Sequence, residues 1–100
     1  MITIIARLTS KDGEFQNLRA CALELAAAVA ANEPGNQLYA ICEGAGPNML
    51  VLIERYADAQ ALEAHRGSEH LKTIGRKIGA TLAGKPDILF RLTDCEVRHT

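Results

Sequence analysis

The run MLVLIERY, residues 49–56, constrains this chain more than any other stretch. Side chains alternate between the two faces of a strand, so Leu50 and Leu52 take one side and Met49, Val51 and Ile53 the other. Polarity returns only at Glu54 and Arg55. The last expected strand, ILFRLTDCEV at 88–97, repeats the pattern, with Ile88, Phe90 and Leu92 set against Leu89. A strand that is apolar on both faces must be covered on both. The fold therefore has to supply two covers for one sheet.

The other periodicities say what covers a chain of 100 residues can make. In ITIIARLT, residues 2–9, Ile2, Ile4, Ala6 and Leu8 fall on one face and Thr3, Ile5, Arg7 and Thr9 on the other. SKDGEF brings turn chemistry, with Ser10 or Asp12 expected to cap the helix that follows. Phe15, Leu18, Ala22, Leu25 and Val29 recur at steps of three and four, the stripe of an amphipathic helix. Pro34 biases Glu33 away from helical geometry, and Gly35 permits a turn. QLYAICE, 37–43, reads as a second strand, GAGPN as a hairpin loop and MLVLIERY as the third strand. Asp58 caps a short helix from Ala59 to about His65, and Gly67 interrupts it. Ser68 caps a further helix, whose stripe is Leu71, Ile74, Ile78 and Leu82. Within it Gly75 and Gly79 give a flat face, read as close helix-to-sheet packing. AGKPD ends it.

The order β-α-β-β-α-β gives an α+β fold of the ferredoxin-like type: a four-stranded antiparallel sheet with a broken second helix, one domain over residues 1–100. Helices cover one face of such a sheet. The second cover is expected to be an identical subunit, making a homodimer; a monomer whose C-terminal tail partly covers the open face is the alternative. A net charge of −1, with no basic stripe, argues against a nucleic-acid partner. ALELAAAVAA is too short and alanine-rich to span a bilayer, so no membrane partner is expected. No basic region precedes the first strand, so no signal peptide is expected. Cys21, Cys42 and Cys95 are odd in number and widely spaced, which fits buried thiols in a cytoplasmic protein better than a disulfide framework or zinc knuckle. CEGAGPN matches neither the dinucleotide nor the phosphate-loop pattern.

Five residues remain as chemistry: Tyr39, Glu54, Tyr56, His65 and His70. Glu54 and Tyr56 share a strand face and sit at its end, beside the short helix that carries His65. A cavity there would be apolar with a few polar groups, as small-molecule sites usually are. His65 titrates near neutrality and can accept a proton from an acidic phenol or enol. His65 and His70 stand five apart across a glycine, not at the spacing of a helical ligand pair, so no metal is expected. His99, in the last two residues, reads as a mobile end.

IERYADAQALEAHRGSEHLK, with EPGN upstream and KPDILFRL near the end, resembles the antibiotic biosynthesis monooxygenase domain over nearly the whole chain. Its most specific element is the E-x-aromatic strand end followed by H-x-x-x-x-H, here Glu54, Tyr56, His65 and His70. The resemblance implies a dimeric α+β barrel. The family includes cofactor-independent oxygenases of quinols and anthrone-like polyketides, haem-degrading enzymes, and an isomerase of a phosphorylated autoinducer. Many oxygenase members place tryptophan where this chain has Tyr56. The haem-degrading branch uses an asparagine where Ala6 stands, and a tryptophan and histidine at the positions aligned with His65 and Gly75. The isomerase branch shares the E-x-Y strand end and both histidines, and needs a phosphate site that Arg7, Arg66, Lys72 or Arg91 would supply.

The resulting expectation is a cofactor-independent monooxygenase that oxidises a small phenolic, quinol or polyketide-like substrate with dioxygen. His65 and Tyr56 would be catalytic, with Tyr39, Glu54 and His70 binding substrate. A phosphorylated-dione isomerase and a non-catalytic ligand-binding dimer are the alternatives.

Overall fold

The chain runs β1 (Ile2–Thr9), α1 (Phe15–Asn32), β2 (Asn36–Cys42), β3 (Met49–Tyr56), α2 (Ala59–Arg66), α3 (Glu69–Thr81) and β4 (Asp87–Thr93). The structure is a computed structural model that describes residues 1–98; His99 lies outside the described residues. The sheet order is β2-β3-β1-β4 with every neighbouring pair antiparallel, the expected ferredoxin-like α+β topology.

Alternation along β1 and β3 is carried into packing. Ile2, Ile4, Ala6 and Leu8 are buried on the inner face, as are Leu50, Leu52, Glu54 and Tyr56. Leu18, Ala22, Leu25 and Val29 of α1 and Ile74 and Ile78 of α3 lie against the main part of this face. Each leucine, isoleucine or valine among them contributes roughly 1.5–3 kcal/mol on full burial. A smaller cluster of Ile2, Ile4, Tyr56 and Leu62 lies under α2.

Asp58 and Ser68 cap as the sequence indicates. Asp58 Oδ1 accepts from the Ala61 N–H at 2.8 Å, and Ser68 Oγ accepts from the Leu71 N–H at 3.3 Å. Ser68 takes extended geometry (φ −71°, ψ 146°), so α3 restarts in a new direction instead of prolonging α2.

Two local expectations are corrected. Neither Ser10 nor Asp12 caps α1. The chain stays extended through Ser10, which bridges to Leu82, so the cap position falls at Glu14, which makes no side-chain cap bond. Asp12 instead accepts from Asn48. β4 also ends early, at Thr93, which pairs with Ile2 at the very start of β1. Past that point no partner strand remains, and Asp94 turns to φ 55° while its N–H donates to the Met1 carbonyl.

Directly paired residues share a face, so the register places Ile5, Val51, Ile53, Phe90 and Leu92 together on the outer face; Ile88, expected on the same face as Phe90 and Leu92, instead pairs with Ala6 on the inner face, because the β1–β4 register shifts between Ile5 and Ala6. Phe90 is 57% and Leu92 42% exposed. The tail reaches this face at Cys95, whose Sγ lies 3.5 Å from Thr3 Oγ1, and leaves those two side chains uncovered.

Candidate functional site

Between the inner sheet face and α3 lies a cavity of about 320 Å³. Ala6, Leu8, Leu52 and Ile88 form its sheet wall, and Leu71, Gly75, Ile78 and Gly79 its helix wall. Tyr39, Glu54 and His65 supply its polar lining, and no lysine or arginine lines it. Gly75 and Gly79 do not mark close packing. A Cβ added at Gly79 would meet nothing within 4 Å, and one at Gly75 only Leu71 Cδ1 at 3.9 Å. The helix is bare at these positions because it faces the void.

Strand register builds the polar end. Tyr39 on β2 pairs directly with Glu54 on β3, so both point inward at one level. Tyr56, two residues on, donates its hydroxyl to Glu54 Oε1 at 2.5 Å. Tyr56 is fully buried and is not part of the cavity lining; it stands behind Glu54. His65, in the last turn of α2, sits between two carboxylates. Its Nδ1 is 2.9 Å from Glu33 Oε2, and its Nε2 is 3.7 Å from Glu54 Oε1, beyond hydrogen-bond reach. Its ring is tilted against those of Tyr56 and Tyr39, with centroids 5.3 and 6.1 Å away.

His70 does not reach the cavity lining. From the first turn of α3 its Nε2 meets Glu33 Oε2 at 2.5 Å. One carboxylate thus holds both imidazoles. Glu33, His65 and His70 present donor atoms all within 4.8 Å of one another, the set among the described residues that could hold a divalent ion. The change of direction at Ser68, not a shared helix face, brings the rings together.

Burial raises the Glu54 carboxyl above the usual range, and the Glu33 charge adds to this; the Tyr56 hydrogen bond and His65 oppose it. Both phenols are pushed well above their ordinary value. Burial is the larger cause in each, followed by the Glu54 charge. At neutral pH each tyrosine is therefore a neutral hydrogen-bond donor.

Sequence reading passed over Glu33, treating it only as the residue before a helix-breaking proline. A signal was present. A carboxylate at the C-terminal end of a helix opposes the macrodipole, so one fixed there by Pro34 calls for partners elsewhere. Gly35 lets this loop approach α2: a Cβ there would lie 2.6 Å from Ala61 Cβ. The four cations considered for phosphate do not gather. Arg7 pairs with Asp87, Arg66 with Glu63 and Lys72 with Glu69, and none of these three, nor Arg91, lines the cavity.

The family profile described as antibiotic biosynthesis monooxygenase matches residues 1–77. Among solved structures, a candidate antibiotic biosynthesis monooxygenase from Caulobacter crescentus CB15 is 32% identical with a TM-score of 0.88, covering 95% of this chain and 90% of that one. Rv0793 from Mycobacterium tuberculosis is 28% identical with a TM-score of 0.85, covering 98% of each chain. PA3566 from Pseudomonas aeruginosa is 30% identical with a TM-score of 0.75, covering 92% of this chain and 94% of that one. No curated protein matches significantly.

Proposed function

The chain belongs to the antibiotic biosynthesis monooxygenase family, and on that premise we propose that it is a cofactor-independent monooxygenase of a small phenolic or quinol-like substrate. The observation that carries the reading is the cavity: aliphatic walls with Tyr39, Glu54 and His65 at one end. A neutral aromatic ring gains from the walls, and its hydroxyl meets the polar end.

With Nδ1–H donated to Glu33, His65 keeps the Nε2 lone pair toward the cavity, 3.7 Å from Glu54 and without a hydrogen bond to it. Nε2 takes the hydroxyl proton of the substrate, and the Glu33 charge stabilises the imidazolium that forms. The electron-rich substrate anion reduces dioxygen directly. One oxygen atom enters the substrate, and the other leaves as water with the two hydrogens the substrate gives up. The neutral Tyr39 hydroxyl is a donor for the developing anion. Tyr56 acts at one remove, through Glu54.

The lining also bears on the phosphorylated-dione alternative. A phosphate there would sit beside Glu54 with no lysine or arginine on the wall, a costly burial of like charge. Competition by inorganic phosphate would favour that alternative. The open outer face is assigned to a second copy of the chain, which the exposure of Phe90 and Leu92 supports.

The test is oxygen uptake with simple quinols. His65→Ala is expected to remain folded and lose at least about tenfold in turnover, since positioned acid–base groups typically contribute on the order of 10²-fold or more. Uptake equal to wild type in that variant removes His65 from the chemistry.

A further inference from the structure

Glu33, His65 and His70 arrive from three elements: the end of α1, the last turn of α2 and the first turn of α3. Their donor atoms all lie within 4.8 Å of one another. The side chains are only 7%, 7% and 17% exposed, so the cluster is nearly dry. A buried carboxylate is normally held by a cationic side chain or by a metal ion. Among the described residues the ion-pair partners of Glu33 are these two imidazoles, with no lysine or arginine. Two imidazoles and a carboxylate suit zinc and its borderline neighbours, and leave a coordination position for water. The five-residue spacing that argues against a ligand pair on one helix does not bear on ligands drawn from two helices of different direction. An ion about 2.0–2.2 Å from each donor would set the donors roughly 3.3 Å apart. Glu33 Oε2 now stands 2.9 Å from His65 Nδ1 and 2.5 Å from His70 Nε2, so these edges open by less than about 1 Å. A second observation points the same way. A histidine that ligates through one nitrogen usually donates its other N–H to a carboxylate. That carboxylate is present behind His65: Glu54 Oε1 lies 3.7 Å from Nε2, on a side chain only 11% exposed.

We propose that Glu33, His65 and His70 form a binding site for one zinc-class divalent cation per chain, and that its occupation turns His65 from a proton acceptor into a donor. The ion binds on the Nδ1 side of the ring. Glu33 and His70 do not line the cavity, so the ion stands apart from it and acts through the imidazole. A neutral imidazole carries one proton. With Nδ1 on the ion, that proton moves to Nε2, where Glu54 is the acceptor at hand. Nε2 then has no lone pair for a substrate hydroxyl. Occupied, the site holds the centre off; emptied, it restores the acceptor. This consequence rests on the reading of His65 as the base, whereas the binding does not.

Calorimetric titration and thermal melting of the full chain with Zn²⁺ test the site in wild type, Glu33→Gln and His70→Ala, with Mg²⁺ as the control. Wild type is expected to bind one Zn²⁺ per chain and to melt higher with it. Mg²⁺, which prefers oxygen ligands, should do neither. Each variant is expected to bind Zn²⁺ at least tenfold more weakly, a loss seen even for groups that only support a ligand. Circular dichroism of the zinc-free variants separates lost binding from lost folding, and His70→Ala, at the most exposed ligand, keeps the test decisive should Glu33→Gln not fold. Wild type that binds no Zn²⁺ overturns the site. So do variants that bind it equally well, as they would if Cys21, Cys42 or Cys95 held the ion. Zn²⁺ has no redox chemistry of its own, so oxygen uptake reads the switch directly. Zn²⁺ is expected to lower wild-type turnover at least tenfold, and His70→Ala turnover less than about twofold against its own zinc-free rate. Zn²⁺ bound at the site without inhibition overturns the switch. Zinc-free wild type that takes up no oxygen with any quinol overturns the monooxygenase reading alone, and the calorimetry still decides the site.

Discussion

Glu54 and Glu33 lie on either side of one imidazole and do different work. Glu33 faces two ring nitrogens, whereas Glu54 is buried with one phenol as its hydrogen-bond donor. Burial raises the Glu54 carboxyl, and that has a consequence for stability. In the pH range between the ordinary carboxylate value of about 4.3 and the raised value, the folded chain binds more protons at this site than the unfolded chain does. The contribution of Glu54 is therefore fully favourable below the ordinary value and is lost as pH rises through the raised one. Glu54→Gln removes this titration while keeping an acceptor for Tyr56. Denaturant unfolding across a pH series should show the variant gaining on wild type as pH rises. A wild-type-minus-variant difference that stays flat with pH would contradict the assignment.

At the scale of elements, the site depends on how the α1–β2 loop meets α2. Glu33 ends α1 with its N–H donating to the Val29 carbonyl, and Gly35 accepts from the Ala57 N–H at 2.9 Å. These bonds draw the loop onto α2 and set Glu33 under His65. The 2.6 Å between a Cβ at Gly35 and Ala61 Cβ is too short for any real pair, and both atoms belong to fixed positions rather than flexible chain ends. Gly35→Ala should cost about 1–3 kcal/mol, the range for overpacking. The added substitution Ala61→Gly makes room for the new methyl and should recover part of that loss, less the roughly 1 kcal/mol of an interior helical glycine. Strictly additive losses in the double variant would show that the two residues do not meet.

The whole molecule presents one covered and one open sheet face. Ile5, Val51, Ile53, Phe90 and Leu92 lie on the open side, and Arg55, also on that side, has its Nε buried without a hydrogen-bond partner. A second copy would cover the apolar side chains. Sedimentation at micromolar concentration is expected to give twice the 10.8 kDa chain mass. Phe90→Asp, which places charge among the exposed apolar side chains of that surface, should shift the species toward one chain. Wild-type protein that sediments as a single chain would leave the second cover unexplained. No helix among the described residues is long and apolar enough to cross a membrane.

The sequence by itself determined the elements, because alternation, helical stripes and the capping side chains of Asp58 and Ser68 are local properties of the chain. β1 and β3 fall on the residues the pattern indicates, and the two-sided greasiness of β3 is visible without coordinates. Tyr39, Glu54 and His65 were also legible, since strand and helix positions put them at one end of the sheet. Only the tertiary structure decided the rest. Glu33 reaches its histidines 32 and 37 residues away through a loop whose course no local pattern encodes. That Gly75 and Gly79 line a cavity was likewise hidden, because a missing side chain can mean either a close neighbour or an empty space. Sequence records which atoms are present along the chain, whereas burial and voids depend on which atoms arrive from elsewhere.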